Sequence, residues 1–361
     1  MRIRDIKIFM VSERTLLVKI FTDEGIVGVG ECSPMNIKVI PYIIINVLKP
    51  IILGQDPFNL EKIFEDIFVK TYKIRGRLIF MAFSGIEIAL WDIIGKVLKL
   101  PVYKLLGGAY RTNIKVYASF MRRDQSPIEV AERAEYFASL GFKAIKIKIG
   151  KRWGFDSLPD EAIETVKEVR RAIGDEIDIM VDCNSAYSAP RAIQIGRKLE
   201  EYNIFHFEEP VPEYDIESLK KVSEALDVPV AAGEQNIGRY EFKELLVRDA
   251  VDIIQPDVIK AGGLLECKKI AAIADAFGKF CTPHNTQPAI GTVATLHFVA
   301  STPNCRYPLE YNIEPHPLKD ILFKDSPIPK DGYLNVPDRD GLGIELNDEV
   351  IEKYGEEVSY I

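Results

Sequence analysis

From Asn113 onward, short apolar runs alternate with amphipathic stretches. The runs are IKVYASF (114–120), KAIKIKI (143–149), IDIMVD (177–182), IFHFE (204–208), VPVAAGE (228–234), VDIIQPD (251–257), KFCTPH (279–284) and YPLEYN (307–312). Between them lie PIEVAERAEYFASLG, EAIETVKEVRRAIG, APRAIQIGRKLEEYN and LLECKKIAAIADAFG. Their apolar positions recur at helical spacing, and several end in Gly, as helix C-termini often do. Eight strands with helices between most of them predict an α/β fold, a parallel barrel. The link after the eighth run lacks helical spacing, so the expected form is a modified TIM barrel, (β/α)7β-like.

The first part of the chain has a different rhythm. RIRDIKIFMV, TLLVKIFT and GIVGVGEC predict a small antiparallel sheet, with Asp23-Glu24-Gly25 as a turn. Helical stretches follow at about 36–50, 58–73 and 78–98. The last, LIFMAFSGIEIALWDIIGKVL, is apolar almost throughout and is expected between two layers. The tail from about 319 is rich in Pro, Gly and Asp and cannot bury a core alone. The expected units are therefore an α+β domain over 1–112, a barrel over 113–318, and a segment 319–361 that folds back on the first domain.

Composition narrows the function. An apolar content of 47% over 361 residues allows a substantial core. A net charge of −8 leaves no footprint for nucleic acid or anionic membrane. Any anionic substrate must then be drawn in by a local metal or by lysines. Cys32, Cys183, Cys267, Cys281 and Cys305 are scattered and form no CxxC pair, which reads as a reduced, cytoplasmic protein. Cys183 follows Asp182 and is expected to point away from the barrel axis into packing. MRIRDIKIF holds no long apolar signal region. The apolar run Val39–Gly54 is only 16 residues and is interrupted by Pro41, Asn46, Lys49 and Pro50, too short and broken to span a bilayer.

Candidate chemistry sits at the strand ends. Asp182, Glu208 and Glu234 follow one another at equal steps of 26 residues, each closing an apolar run. A barrel unit takes roughly 31 residues, about 250 shared among eight, so three consecutive strands are expected to end in carboxylates at the C-terminal rim. Without a cation they would repel one another and take up protons; an oxygen-only set suits a hard divalent ion, most naturally Mg²⁺. Lys146 and Lys148 share one face of their strand, and crowded ammonium groups are expected to lower each other's pKa. Asp257 and His284 end the sixth and seventh runs, where a carboxylate would fix the imidazole tautomer and leave one nitrogen free to carry a proton. Glu310, on the last strand, is either a protonated hydrogen-bond donor to substrate or a structural ion-pair partner. Lys260, His206, His297 and His316 read as structural, with His206 deeper on the face of Glu208. Asn184, Gln235, Asn285 and Gln287 adjoin these positions and could read hydroxyls. Arg122 or Arg123 could pair with a substrate group, against a solvated loop pair.

The ordered set KIK, VDCN, FEEP, AGEQ, QPDVIKAGG and PHN resembles the enolase superfamily, specifically the mandelate racemase-like subgroup of its mandelate racemase/muconate lactonizing enzyme family. EIALWDIIGKVLKLPVYKLLGG is similar to that family's junction of capping domain and barrel, and DRDGLGIEL to its returning tail. The resemblance spans nearly the whole chain. It implies one Mg²⁺ per site on Asp182, Glu208 and Glu234, with Glu209 facing away. It makes Lys148 the base and Lys146 a neighbour that contacts the substrate carboxylate. It makes Asp257–His284 a dyad and Glu310 the acid of the last strand. Members of this superfamily pair a Lys or His base with Mg²⁺. The muconate lactonizing branch carries Lys at the place of Asp257 and Asp at that of Glu234, so this chain departs from it.

The implied reaction is α-proton abstraction from a small-molecule carboxylate. The subgroup is rich in acid-sugar dehydratases, which lose water to give a 2-keto-3-deoxy acid, and that outcome is preferred. The alternative is a racemase or epimerase, in which a second base returns the proton to the same carbon. The short turn Val11-Ser12-Glu13-Arg14-Thr15 would leave room for a polar, extended substrate. The resemblance also implies a homo-oligomer, often an octamer. A zinc hydrolase barrel would need a histidine pair on its first strand, and IKVYASF has none. A barrel holding metal only for stability would not need both Lys148 and His284.

Overall fold

The structure is a computed structural model that describes every residue except Trp153, Pro288, Pro317, Asp320, Tyr360 and Ile361. Three β-branched, alternating runs form an antiparallel sheet: β1 (Ile3–Ser12), β2 (Thr15–Thr22) and β3 (Val27–Cys32). Only Glu13 and Arg14 separate β1 from β2. The apolar stretch that follows is a helix in pieces. It runs as α1 (Ile40–Ile43), a π-helical turn (Ile44–Leu48) and α2 (Lys49–Ile52). Pro50 has no N–H to give to the preceding turn, which accounts for a break there. Then come α3 (Leu60–Lys70) and α4 (Arg77–Leu98).

Helix α4 is long and apolar enough to cross a membrane by length and composition, yet 89% of its apolar window is buried inside the protein. Its run Ile79–Leu90 is buried on every side. The reason is its position between β3 and the barrel, the arrangement an all-round apolar helix requires.

After α5 (Val102–Leu105) the barrel begins. Its units are β4 (Asn113–Ser119), α6 (Pro127–Ser139), β5 (Ala144–Lys148), α7 (Ala162–Ile173), β6 (Asp178–Asp182), α8 (Ala189–Leu199), β7 (His206–Glu208) and α9 (Ile216–Ala225). Then follow β8 (Val230–Ala232), α10 (Gly238–Val247), β9 (Ile253–Ile254), α11 (Leu264–Ala276), β10 (Phe280–Cys281), α12 (Ile290–Ala300) and β11 (Leu309–Asn312). Parallel pairing runs in the order β10-β9-β8-β7-β6-β5-β4-β11. No helix separates β11 from the tail among the described residues, in keeping with the (β/α)7β expectation.

The tail contributes two short strands to the earlier sheets. Its strand β12 (Tyr333–Asn335) pairs with β4, with Leu334 opposite Ile114. After α13 (Asp348–Tyr354), β13 (Glu356–Glu357) pairs with β1.

Register places the chemistry. Lys148 pairs with Asp182, and Asp182 with Glu208, so three charged side chains stand at one level of the barrel. The later strands are shorter than the apolar runs that predict them. Glu234, Asp257 and His284 lie just beyond their ladders. Pro256 and Pro283 cannot donate to a ladder, which ends β9 and β10 ahead of the residues that matter.

Candidate active site

Asp182, Glu208 and Glu234 are buried and bring one carboxylate oxygen each within 4.8 Å of the others. The lysines of β5 meet them from one side. Lys146 Nζ lies 2.7 Å from Glu208 Oε1, 2.8 Å from Glu310 Oε1 and 3.7 Å from Asp182 Oδ2. Lys148 Nζ donates to Asp182 Oδ2 and, at 3.1 Å, to Asn184 Oδ1.

This pairing overturns two expectations. The two ammonium groups do not push Lys146 down. Burial alone would lower it, but Glu208 and Glu310 outweigh burial and hold it well above the ordinary lysine range. Nor are Asp182 and Glu234 raised, as carboxylates crowded without a cation would be. Burial raises Asp182, but Lys148, Lys146 and Arg123 bring it below the usual carboxylate range. Burial likewise raises Glu234, and His284 and Lys260 more than reverse it.

The group that does rise is Glu209. It is buried, has φ +40°, and is held well above the ordinary glutamate range by burial and by Glu234, Asp182 and Glu208. Its Oε2 accepts from Nδ2 of Asn184, the residue that also holds Lys148, at 3.5 Å, so the expectation that Glu209 faces away from the site fails. Alternation applies to extended residues, and this left-handed residue is not one. It contributes no oxygen to the triad cluster.

On the other side, His284 Nδ1 lies 2.6 Å from Asp257 Oδ2, and its Nε2 lies 3.2 Å from Glu234 Oε2. The second oxygen of Asp257 accepts from Ile259 N at 2.8 Å, which fixes the carboxylate. Burial lowers His284, but Glu234 and Asp257 leave it raised overall, against Lys260. Lys260 is buried, with Nζ 3.3 Å from the Glu234 carbonyl and 3.6 Å from Asp257 Oδ2. It links the fifth and sixth strand ends.

Glu310 accepts from Ser119 Oγ at 2.6 Å and Asn285 N at 2.8 Å as well as from Lys146. Burial raises it, but Lys146 and His284 bring it well below the usual range. A carboxylate held ionised cannot be the hydrogen-bond donor that a protonated Glu310 would be. Of the two readings of this residue, the ion-pair partner matches the geometry.

The candidate substrate readers divide. Arg122 is exposed and chelates Asp124, with both contacts at 2.9 Å, so its guanidinium is taken up at the surface. Arg123 turns inward. It donates to the Ile149 and Gly150 carbonyls and, at 2.8 Å, to Asn184 Oδ1. Asn184, with φ +42°, therefore receives both Arg123 and Lys148 on one oxygen. Gln235 Nε2 donates to Glu234 Oε1 at 2.6 Å. The Asn285 side chain is committed to Thr292 Oγ1 and the Glu310 carbonyl, both 3.0 Å away, rather than open to a ligand. The Gln287 carbonyl accepts from Thr292.

Sequence reading missed several supporting groups. Gln255 Nε2 donates to Glu208 Oε2 at 2.8 Å, and Ser119 holds Glu310. Gln255 was detectable two residues before Asp257 in the same apolar run, whereas no reading of the sequence pointed to Ser119; the ring of Tyr117, two residues before it, lies 5.6 Å from Lys146 Nζ. His206 does share the Glu208 face, at 3.2 Å from Oε2. His297 is packed in α12 and His316 lies near Thr15 Oγ1, away from the carboxylates. Cys183 is fully buried in the core, and all five cysteines are free.

The triad fits a hard divalent cation. Its donors are all oxygens, and Glu234 Oε2 is buried without a hydrogen bond, despite its nearness to His284. A buried acceptor left unsatisfied is costly unless something occupies it.

Comparisons with known proteins agree with this geometry. A family model described as enolase C-terminal domain-like matches residues 129–350. That for the mandelate racemase/muconate lactonizing enzyme N-terminal domain matches residues 6–107. An arabinonate dehydratase from Saccharolobus solfataricus is 35% identical over 340 residues, covering 93% of this chain and 89% of that protein. A D-galactonate dehydratase from Pectobacterium atrosepticum is 33% identical over 359 residues, covering 97% and 94%. A mandelate racemase/muconate lactonizing protein from Paracoccus denitrificans, solved complexed with magnesium, superposes with a TM-score of 0.94 at 30% identity over 99% of each chain. The chain belongs to the mandelate racemase/muconate lactonizing enzyme family of the enolase superfamily.

Proposed function

We propose that this protein is an acid-sugar dehydratase, a carbon–oxygen lyase. The observation that carries the proposal is the pair of proton carriers at opposite ends of the carboxylate triad. Lys148 is bonded to Asp182, and His284 Nε2 lies 3.2 Å from Glu234. They come from the second and seventh barrel strands, so they approach a bound substrate from two faces. The relatives named as arabinonate and D-galactonate dehydratases support the choice of reaction.

Asp182, Glu208 and Glu234 would hold Mg²⁺, which when bound stabilises negative charge developing on the substrate carboxylate. Lys148 Nζ, as the neutral amine, takes the proton from the α-carbon and becomes the ammonium. His284, its Nδ1–H held by Asp257, gives the Nε2 proton to the β-hydroxyl as the C–O bond breaks and water leaves. The enol that remains tautomerises to a 2-keto-3-deoxy acid. Lys146 carries positive charge beside the carboxylate end of the substrate, and Glu310 fixes its position. Asn184 holds Lys148 Nζ in place, and Arg123 in turn holds Asn184. The buried free cysteines support a reducing, cytoplasmic setting.

The test is turnover of D-galactonate, D-xylonate and arabinonate with Mg²⁺, followed by detection of 2-keto product. Product from at least one acid is expected, with none from Lys148→Ala or His284→Asn. If a library of acid sugars yields no 2-keto product while a 2-hydroxy or amino acid racemises, the enzyme is a two-base racemase and the dehydratase reading is wrong.

A further inference from the structure

The residues of the Asp257–His284 dyad stand on loops beyond short strands, and each loop leads into a helix. The N-terminus of each of those helices is held by a buried carboxylate from the other domain. Glu87, on α4, accepts from Leu264 N at 2.7 Å and Leu265 N at 2.9 Å, the first residues of α11. Trp91 Nε1, one turn along α4, fixes Glu87 Oε1 at 2.7 Å. Ser84, on the same face, accepts from Gly262 N at 3.0 Å. Glu31, on β3, accepts from Gly291 N at 2.7 Å, at the start of α12.

The loop glycines follow from this contact. Gly262 and Gly263 have φ +117° and +93°. A Cβ on Gly263 would lie 2.1 Å from Glu87 Oε2, and one on Gly262 would lie 3.1 Å from Phe80. Helix α4 is thus pressed against the loop that begins at Asp257. That loop is also tied back to its origin, since the Asp257 carbonyl accepts from Ala261 N at 2.7 Å. The second anchor reaches the dyad by a similar route. Thr292, next to Gly291, bonds the Asn285 side chain, and Asn285 adjoins His284 and donates to Glu310.

We propose that Glu87 and Glu31 are positioning residues for the Asp257–His284 dyad, so that the first domain sets the alignment of the general acid. Neither touches the reacting atoms. Their anchoring acts on one of the two proton carriers, because Lys148 stands on β5 and is held by Asp182 and by Asn184, which Arg123 fixes, instead.

The catalytic part of this inference rests on the dehydratase reading; its structural part does not. The variants are Glu87→Gln, Glu31→Gln and the milder Ser84→Ala, each studied as the full chain with Mg²⁺. One readout needs no substrate: the downfield proton resonance of the His284 Nδ1–H bond, assigned by its loss in His284→Asn. The expected result is displacement or broadening of that resonance in all three variants. The second readout separates two rates on D-galactonate, or on whichever acid sugar the unaltered enzyme dehydrates. Dehydration is expected to fall by up to about 10²-fold, as for a misplacement of roughly 1 Å, while α-proton exchange through Lys148 stays within about twofold of normal. An unmoved resonance in variants that stay folded overturns the proposal, as does an equal fall of exchange and dehydration. If the unaltered enzyme processes no acid sugar at all, the functional reading fails, and the resonance still decides whether the anchors act on the dyad.

Discussion

Lys146→Met removes the cation that three carboxylates share. The side chain is fully buried and lies within 2.8 Å of both Glu208 and Glu310. Breaking a buried ion pair from one side costs about 3–5 kcal/mol, because the partner charges remain. Here the partners keep other donors. Glu208 retains Gln255 at 2.8 Å, and Glu310 retains Ser119 at 2.6 Å and Asn285 at 2.8 Å. The lower end, about 3 kcal/mol, is therefore expected. At about 2–4 °C per kcal/mol for a sizeable domain, that is a drop in Tm on the order of 6–12 °C. The assay is thermal unfolding in EDTA, followed by circular dichroism. Excess Mg²⁺ should then restore the variant more than it stabilises the unaltered chain, because a cation on the triad replaces part of the missing charge. Saturation at about 100 Kd is worth about 2.7 kcal/mol. A Tm in EDTA within about 1 °C of the unaltered chain would refute the shared-cation account.

Three further outcomes can be checked. His297 is buried with Nδ1 accepting from Tyr103 N and Nε2 donating to the Leu342 carbonyl, and burial pushes its pKa down to about 4 from 6.5. The unfolded chain therefore binds a proton that the folded chain lacks as pH falls from 6.5 towards about 4, so stability declines across that window and levels off below it. Urea unfolding should show a loss of about 2 kcal/mol by about pH 5, attributable to this group and absent in His297→Gln; an equal pH slope in both proteins contradicts the assignment. Arg123→Met should lower kcat by about tenfold or more, by freeing Asn184 and Lys148, whereas Arg122→Met should leave steady-state kinetics within about twofold. Equal effects of the two substitutions would show that the inward guanidinium has no special part. Asp257→Asn should leave Mg²⁺ affinity within about threefold while it cuts dehydration by about 10²-fold or more, as loss of general acid catalysis does; a large loss of Mg²⁺ affinity, read by calorimetry, would place Asp257 with the metal instead.

The barrel was readable because eight apolar runs alternate with helical spacing. The triad was readable because three runs end in carboxylates at equal intervals. The electrostatics were harder to read. Lys146 and Lys148 read as mutually repelling only while their partners were unknown; Glu310 meets Lys146 from across 164 residues of chain. Glu209 was misplaced because strand alternation was extended one residue into a left-handed turn. Arg123 and Arg122 are indistinguishable as letters, and only the loop geometry turns one inward. Glu31 and Glu87 gave no local signal at all. Their partners are Gly291 and Leu264, 260 and 177 residues away, and the contact exists only once β3 and α4 dock on the barrel.

The most direct measurement is α-proton exchange on the acid sugar in D₂O, followed by proton NMR, for the unaltered chain and for Asp182→Asn, each with Mg²⁺ and with EDTA. The account predicts exchange or 2-keto product only where Mg²⁺ and the intact carboxylate triad are present together. Exchange that persists in the Asp182→Asn protein after full chelation would contradict it.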